Sequence, residues 1–165
     1  MAETDSSAWL ERAMEQWETS LLRLCYAYLH DEALAQDAVQ ETFLKAWKNR
    51  DRFRGEADEK TWLNRIAINV CKDILKSAWR RHQAASLDDL PEASVPFTPA
   101  DDTVTRAVMA LPPRDREVVL LCCLQGLSGR EAARALRLPR STVYHHLNRA
   151  QRLLKEALEE WYHES

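Results

Sequence analysis

The sequence predicts an all-α chain: two small helical domains joined by a flexible acidic linker. Three observations carry this. Glycine is scarce, at three of 165 residues, while the strong helix formers Ala, Leu, Arg and Glu dominate. Apolar residues recur at three- and four-residue steps, and the alternating runs with Gly or Asn turns that would signal a sheet are missing. Residues 82–102, HQAASLDDLPEASVPFTPADD, hold three prolines, no glycine and no clear period, and so divide the chain in two.

The first helix is expected over residues 8–29, where Leu10, Met14, Trp17, Leu21, Leu24, Cys25 and Tyr28 form one apolar stripe. Asp31 is a fitting N-cap for a second helix over 32–48, which buries Leu34, Ala38, Phe43, Ala46 and Trp47. Its other face shows Asp37, Gln40, Glu41 and Leu44. NRDRFRGEADEK is a charged loop. A third helix over 60–80 carries an apolar stripe of Trp62, Leu63, Ile66, Ala67, Val70 and Ile74. Its polar stripe, Arg65, Asn69, Lys72, Lys76 and Arg80, puts four cations and an amide on one face. Taken alone, such a stripe reads first as a solvated surface.

Beyond the linker, a helix over 102–110 precedes LPPRDRE, where Pro113 suits a first helical turn. That next helix runs to Gln125 and stops at Gly126. Ser128 with Glu131 three residues on is a capping box for a short helix ending at Leu136. Pro139 and Arg140 open the last helix, with Val143, Leu147, Ala150, Leu154 and Leu158 buried.

Charge is segregated, although the chain nets only −3. Residues 1–44 are net −7, 45–80 net +5, 81–103 net −4 and 104–165 net +3. Different segments therefore suit different partners. No apolar run approaches the roughly 18 residues of a membrane span. The acidic N-terminus has no basic-then-apolar signal pattern, so a cytoplasmic protein without membrane insertion is expected. Cys25, Cys71, Cys122 and Cys123 form no CxxC pair and each sits in an apolar-periodic helix, so all four are expected as buried small hydrophobes. No nucleophile–base pair, metal cluster or phosphate loop is visible, so no enzyme, catalytic residue, metal site or cofactor is expected.

The helices over 128–136 and from 140 onward, with a short turn between, follow the helix-turn-helix plan. The longer one carries Arg140, Tyr144, His145, His146, Asn148, Arg149, Arg152 and Lys155, with no acid before Glu156. With Val143 and Leu147 buried, Ser141, Thr142, Tyr144, His145, Asn148 and Arg149 face outward or lie along the margins. Arg can bridge a guanine edge, Asn an adenine edge, and Thr or Tyr can touch phosphate or the thymine methyl. Any amphipathic helical hairpin matches part of this pattern. Adjacent histidines point about 100° apart on a helix, so His145 and His146 suit a surface or DNA margin better than one metal. The turn usually wants Gly for positive φ, and Arg137 occupies that position: either it takes that conformation at a cost of about 1 kcal/mol or the turn differs slightly.

The chain resembles the extracytoplasmic-function (ECF) sigma factors, the small group-four subunits of bacterial RNA polymerase. In the first unit the resemblance rests on DEALAQDAVQETFLKAWKN and FRGEADEKTWLNRIAINVCKDILK. In the second it rests on LPPRDREVVLLCCLQGLSGREAARALRLPRSTVYHHLNRAQRLLKEAL. It covers about residues 15–80 and 104–158, and two blocks in order are more specific than one helix-turn-helix. It implies a sigma-two-like domain over 1–81, binding core polymerase and the promoter −10 element. The acidic linker over 82–102 matches the segment that in relatives threads the polymerase cleft. A sigma-four-like domain over 103–165 would bind the −35 element. The resemblance ends close to the last residue, so no large appended sensor domain is expected.

Residue by residue, the resemblance implies that Asp37, Gln40, Glu41 and Leu44 lie on the β′ clamp coiled coil. Arg54, Lys60, Arg65 and Asn69 become candidates for the −10 element, whose family members hold one base flipped from the stack, with Lys72, Lys76 and Arg80 on the same DNA-facing stripe. The −35 reader is the helix with Arg140, Ser141, Thr142, Tyr144, His145, His146, Asn148 and Arg149. Several of these depart from the small or basic residues common in relatives, which leaves the base preference open. The implied partners are core polymerase, through the β′ clamp and β flap, and promoter DNA. A masking anti-sigma factor is common in the family, though no residue here names one. The competing reading is an ordinary DNA-binding regulator with an N-terminal sensor or dimerisation module. Such a module would need neither the basic stripe nor the FRGE loop.

Overall fold

α1 (Ala2–Leu29), α2 (Glu32–Lys48) and α3 (Glu59–Ala84) pack pairwise in the first of two units, Met1–Pro96. A computed structural model describes residues 2–53, 58–84 and 102–164, with side chains over 7–53, 58–81 and 103–160. Arg54 and residues 85–101 of the expected linker lie outside the described residues. Among the described residues all regular structure is helical.

Leu21, Leu24, Cys25 and Tyr28 of α1, Ala35, Ala38, Val39, Phe43 and Ala46 of α2 and Leu63, Ala67, Ile68, Val70 and Cys71 of α3 are buried where the three helices pack. Two expectations are corrected. Met14 is 37 % exposed, because Ala13, four residues before Trp17, takes the buried place. Trp47 is 36 % exposed, because the buried positions 35, 38, 39, 42, 43 and 46 place residue 47 beside the seam. The Arg50 guanidinium covers its ring at 4.5 Å. Thr42 is tolerated inside because its hydroxyl donates to the Ala38 carbonyl at 2.6 Å.

α1 stops at a left-handed residue, His30, with φ 54°. Its N–H still reaches the Tyr26 carbonyl at 2.7 Å. Asp31 caps α2 as expected, accepting the Leu34 N–H at 2.9 Å. After α2 a single 3₁₀ turn, Arg50–Arg52, leads to Phe53, which stacks on Trp62 with centroids 4.9 Å apart. Asp58 opens α3 by accepting the Thr61 N–H at 2.7 Å.

The second unit, Phe97–Ser165, holds α4 (Asp102–Met109), α5 (Pro113–Val119), α6 (Gly129–Leu136) and α7 (Arg140–Glu164). Pro113 sits in the first turn of α5, where its missing N–H costs nothing. The segment expected to continue as α-helix to Gln125 widens over Leu120–Leu124 into a π turn, with the Gln125 N–H on the Leu120 carbonyl at 3.0 Å. Gly126, φ 71°, ends it. Cys123 stands four residues after Val119, a position that a regular helix would bury; the wide turn carries it out, and it is exposed. Cys25 and Cys71 are buried and Cys122 is half-buried, so burial of all four cysteines is corrected. The core here is Leu111, Val118, Val119, Leu121, Leu136, Val143 and Ala150, with Leu147, Leu153 and Leu154 partly buried against it.

Candidate nucleic-acid interface

α6 and α7 are separated by three residues, and local chemistry sets both ends of the break. Ser128 Oγ accepts the Glu131 N–H at 3.1 Å and Glu131 Oε1 accepts the Ser128 N–H at 2.9 Å, completing the capping box. Arg137 adopts φ 56°, ψ 45°, the left-handed conformation expected of this turn without a glycine. The Leu138 N–H then closes on the Ala133 carbonyl at 3.0 Å, satisfying the end of α6. Gly129 lets the two helices approach: a Cβ there would fall 2.8 Å from the Tyr144 Cζ and hydroxyl oxygen. Tyr144 therefore lies over the start of α6 and is still 43 % exposed.

Along α7, Arg140, Ser141, Tyr144, His145 and Asn148 are exposed and Thr142 is half-buried. Val143 and Ala150 are fully buried. His146 and Arg149 lie along the margin of this exposed set, His146 half-buried and the Arg149 side chain 37 % exposed. Both reach back to Asp115 on α5. Arg149 Nε donates to Asp115 Oδ2 at 2.7 Å and its Nη2 to Oδ1 at 2.8 Å. His146 Nδ1 lies 2.7 Å from the same Oδ1. The physical reason is that Asp115 is buried, and a buried carboxylate needs donors. Burial alone raises its pKa; the bonds and charges of Arg149 and His146 outweigh that and hold it below the ordinary value. Asp115 was not singled out in the sequence. Its signal was position: it shares a helix face with Val118, Val119 and Cys122.

In the first unit, Asp37, Gln40, Glu41 and Leu44 are all exposed on one face of α2, with Leu44 at 45 %. The α3 stripe divides: Asn69, Lys76 and Arg80 are exposed, while Arg65 and Lys72 are half-buried, as is Lys60 at the start of the helix. Trp62 is 8 % exposed between Phe53 and Trp9, so it is core, as its stripe implied. Trp79 near the end of α3 is 62 % exposed among Lys76, Arg80 and Arg81, a feature the periodicity did not flag. Among the described residues no cluster of three His, Cys, Asp or Glu could hold a metal. No described helix is long and apolar enough to cross a membrane.

Comparison with known proteins agrees with this geometry. Residues 13–81 match the Sigma-70 region 2 family and residues 101–154 the Sigma-70, region 4 family. The RNA polymerase sigma-H factor of Pseudomonas aeruginosa is 30 % identical over 160 residues, covering 87 % of this chain and 83 % of the relative. The ECF RNA polymerase sigma-E factor of Escherichia coli is 32 % identical over 131 residues, 70 % of this chain and 69 % of the relative. In fold, the chain is similar to the sigma factor RpoE solved with the anti-sigma factor NepR from Bartonella quintana. That match has TM-score 0.78 and 24 % identity, and covers 90 % of this chain and 96 % of the other. Two sigma regions in order, on a helical scaffold shared along most of its length, place this chain in the ECF sigma factors, the DNA-binding subunits that join core RNA polymerase to initiate transcription at promoters.

Proposed function

We propose that the two units divide the work of promoter recognition at residue level. Residues 1–81 dock on the polymerase β′ clamp through Asp37, Gln40, Glu41 and Leu44 and engage the −10 element. Arg54, Lys60, Arg65 and Asn69 serve the flipped base, and Lys72, Lys76 and Arg80 follow the phosphates. Residues 103–165 meet the β flap and read the −35 element with Arg140, Ser141, Thr142, Tyr144, His145 and Asn148. Residues 82–102 connect the two. The protein acts in the cytoplasm, carries no catalytic group of its own, and is masked by an anti-sigma factor when not in use. The sigma factor of like fold from Bartonella quintana is seen with such a partner.

The observation that supports this division best is the exposed face of α2. Two acids, an amide and a leucine at 45 % exposure share one side of a helix whose opposite side is fully packed. An apolar residue ringed by charge suits a protein partner, and the acids suit a basic one. A sensor module of an ordinary regulator has no need of that face. Run-off transcription with core polymerase on a promoter library tests the reading: promoter-specific transcripts are expected. DNA binding without core, and no transcripts, would favour the regulator.

A further inference from the structure

Asp115 belongs to none of the surfaces assigned above, yet three short polar contacts converge on its carboxylate. Its carboxylate is wholly buried at the start of α5. Both oxygens are occupied from α7, by Arg149 at 2.7 and 2.8 Å and by His146 at 2.7 Å. The donors stand three residues apart on α7 and so come from adjacent turns of one helix face. Two charge-assisted contacts a turn apart fix rotation about the helix axis as well as position along it, which a single contact cannot do. A carboxylate only accepts, so the bond to His146 requires the proton on Nδ1 and leaves Nε2 as the uncommitted ring nitrogen.

We propose that Asp115 is a positioning residue for −35 recognition: by holding His146 and Arg149 it sets the rotation of α7, presents Arg140, Ser141, Tyr144, His145 and Asn148 to DNA, and keeps Arg149 off the phosphates. This rests on the assignment of α7 to the −35 element. Phosphate contacts give affinity and base contacts give sequence. Loss of Asp115 therefore has two opposite effects. Discrimination falls because the reading side chains lose their fixed azimuth. Sequence-independent binding rises because Arg149 is released toward the backbone. A carboxylate that only stabilised the fold would lower both together.

The test uses holoenzyme assembled from core polymerase and full-length Asp115→Asn, an isosteric change. Affinity is measured over a salt series for one promoter with its −35 element intact and scrambled. The intact-to-scrambled ratio should fall on the order of tenfold, the worth of one good base contact. The salt slope should steepen by about one per released cation, and core affinity should not change. Arg149→Lys keeps the charge without the two-pronged geometry and should lower the ratio in part. An unchanged ratio in both variants overturns the proposal. If Asp115→Asn fails to fold by circular dichroism, Arg149→Gln decides from the half-exposed side: the ratio should fall with no steeper slope, and an unchanged ratio again overturns it. Tyr144→Ala with Asn148→Ala separates the two assignments. If that pair leaves −35 dependence intact, the reading of α7 is wrong. If it lowers −35 dependence and Asp115→Asn does not, only the positioning role is wrong.

Discussion

The indole N–H of Trp17 donates to Glu59 Oε1 at 3.0 Å, tying the middle of α1 to the first residue of α3. Asp58 and Glu59 follow residues 54–57 in the sequence, and Phe53, stacked on Trp62, precedes them. Both flanks of the segment proposed for −10 engagement thus rest on aromatic side chains of the first unit. Trp17→Phe keeps an aromatic ring but removes the N–H donor together with the five-membered half of the indole. The expected result is a stability loss of about 1 kcal/mol, slower promoter opening and unchanged core affinity. Permanganate reactivity of −10 thymines in holoenzyme complexes checks it; wild-type opening kinetics would remove any role for the bond.

The acidic face of α2 is the expected contact with core. Asp37→Arg combined with Glu41→Arg should weaken core binding by on the order of tenfold or more, since like charges set against a basic surface are strongly unfavourable. Both positions are exposed, so helicity should not change. A titration against labelled core at moderate salt measures this, and equal affinity would detach the face from the polymerase.

Lys76 is exposed and Lys72 half-buried on the α3 stripe. Replacing both with Ala should lower the salt dependence of promoter binding by about one unit per lost phosphate contact. Binding across promoter sequences should fall roughly uniformly. Normal transcription by the double variant at raised salt would make the stripe a solvated surface.

Asp115 also gives a pH prediction with a definite sign. Its folded pKa lies below the ordinary 3.8, so the stability it contributes is present above 3.8 and is lost as pH falls from there through the lower folded pKa. Asp115→Asn, which cannot ionise, should therefore melt below the parent at neutral pH. The gap should narrow as pH drops below about 4. Thermal melts from neutral to acid pH measure it, and a gap that widens toward acid would contradict the assignment of the buried charge.

Much of this architecture was legible because it depends on local rules. The Asp31 cap, the Ser128–Glu131 capping box, Pro113 in a first turn and the left-handed Arg137 each follow from backbone groups within a few residues of one another. What was not legible depends on phase and on distant partners. The π turn over Leu120–Leu124 shifts the helical register by a fraction of a turn and exposes Cys123. No dipeptide signals the left-handed His30. The pairing of Asp115 with Arg149 spans 34 residues, so it cannot be read from the pattern of α7 alone. The buried acid on α5 is what engages two of the Arg149 nitrogens.

The uneven charge leads to the most direct test. The first 44 residues are net −7 and residues 81–103 net −4, while the DNA-reading helix is basic. Acidic parts of a free chain repel DNA until polymerase engages them, and single base contacts of roughly 1–3 kcal/mol are too few for tight binding by one small domain. Fluorescence anisotropy on one promoter at fixed salt should therefore show little specific binding by the full-length protein alone and tight, −35-dependent binding once core polymerase is added. Tight, sequence-specific binding by the free protein would contradict this division of charge and return the chain to the ordinary regulators.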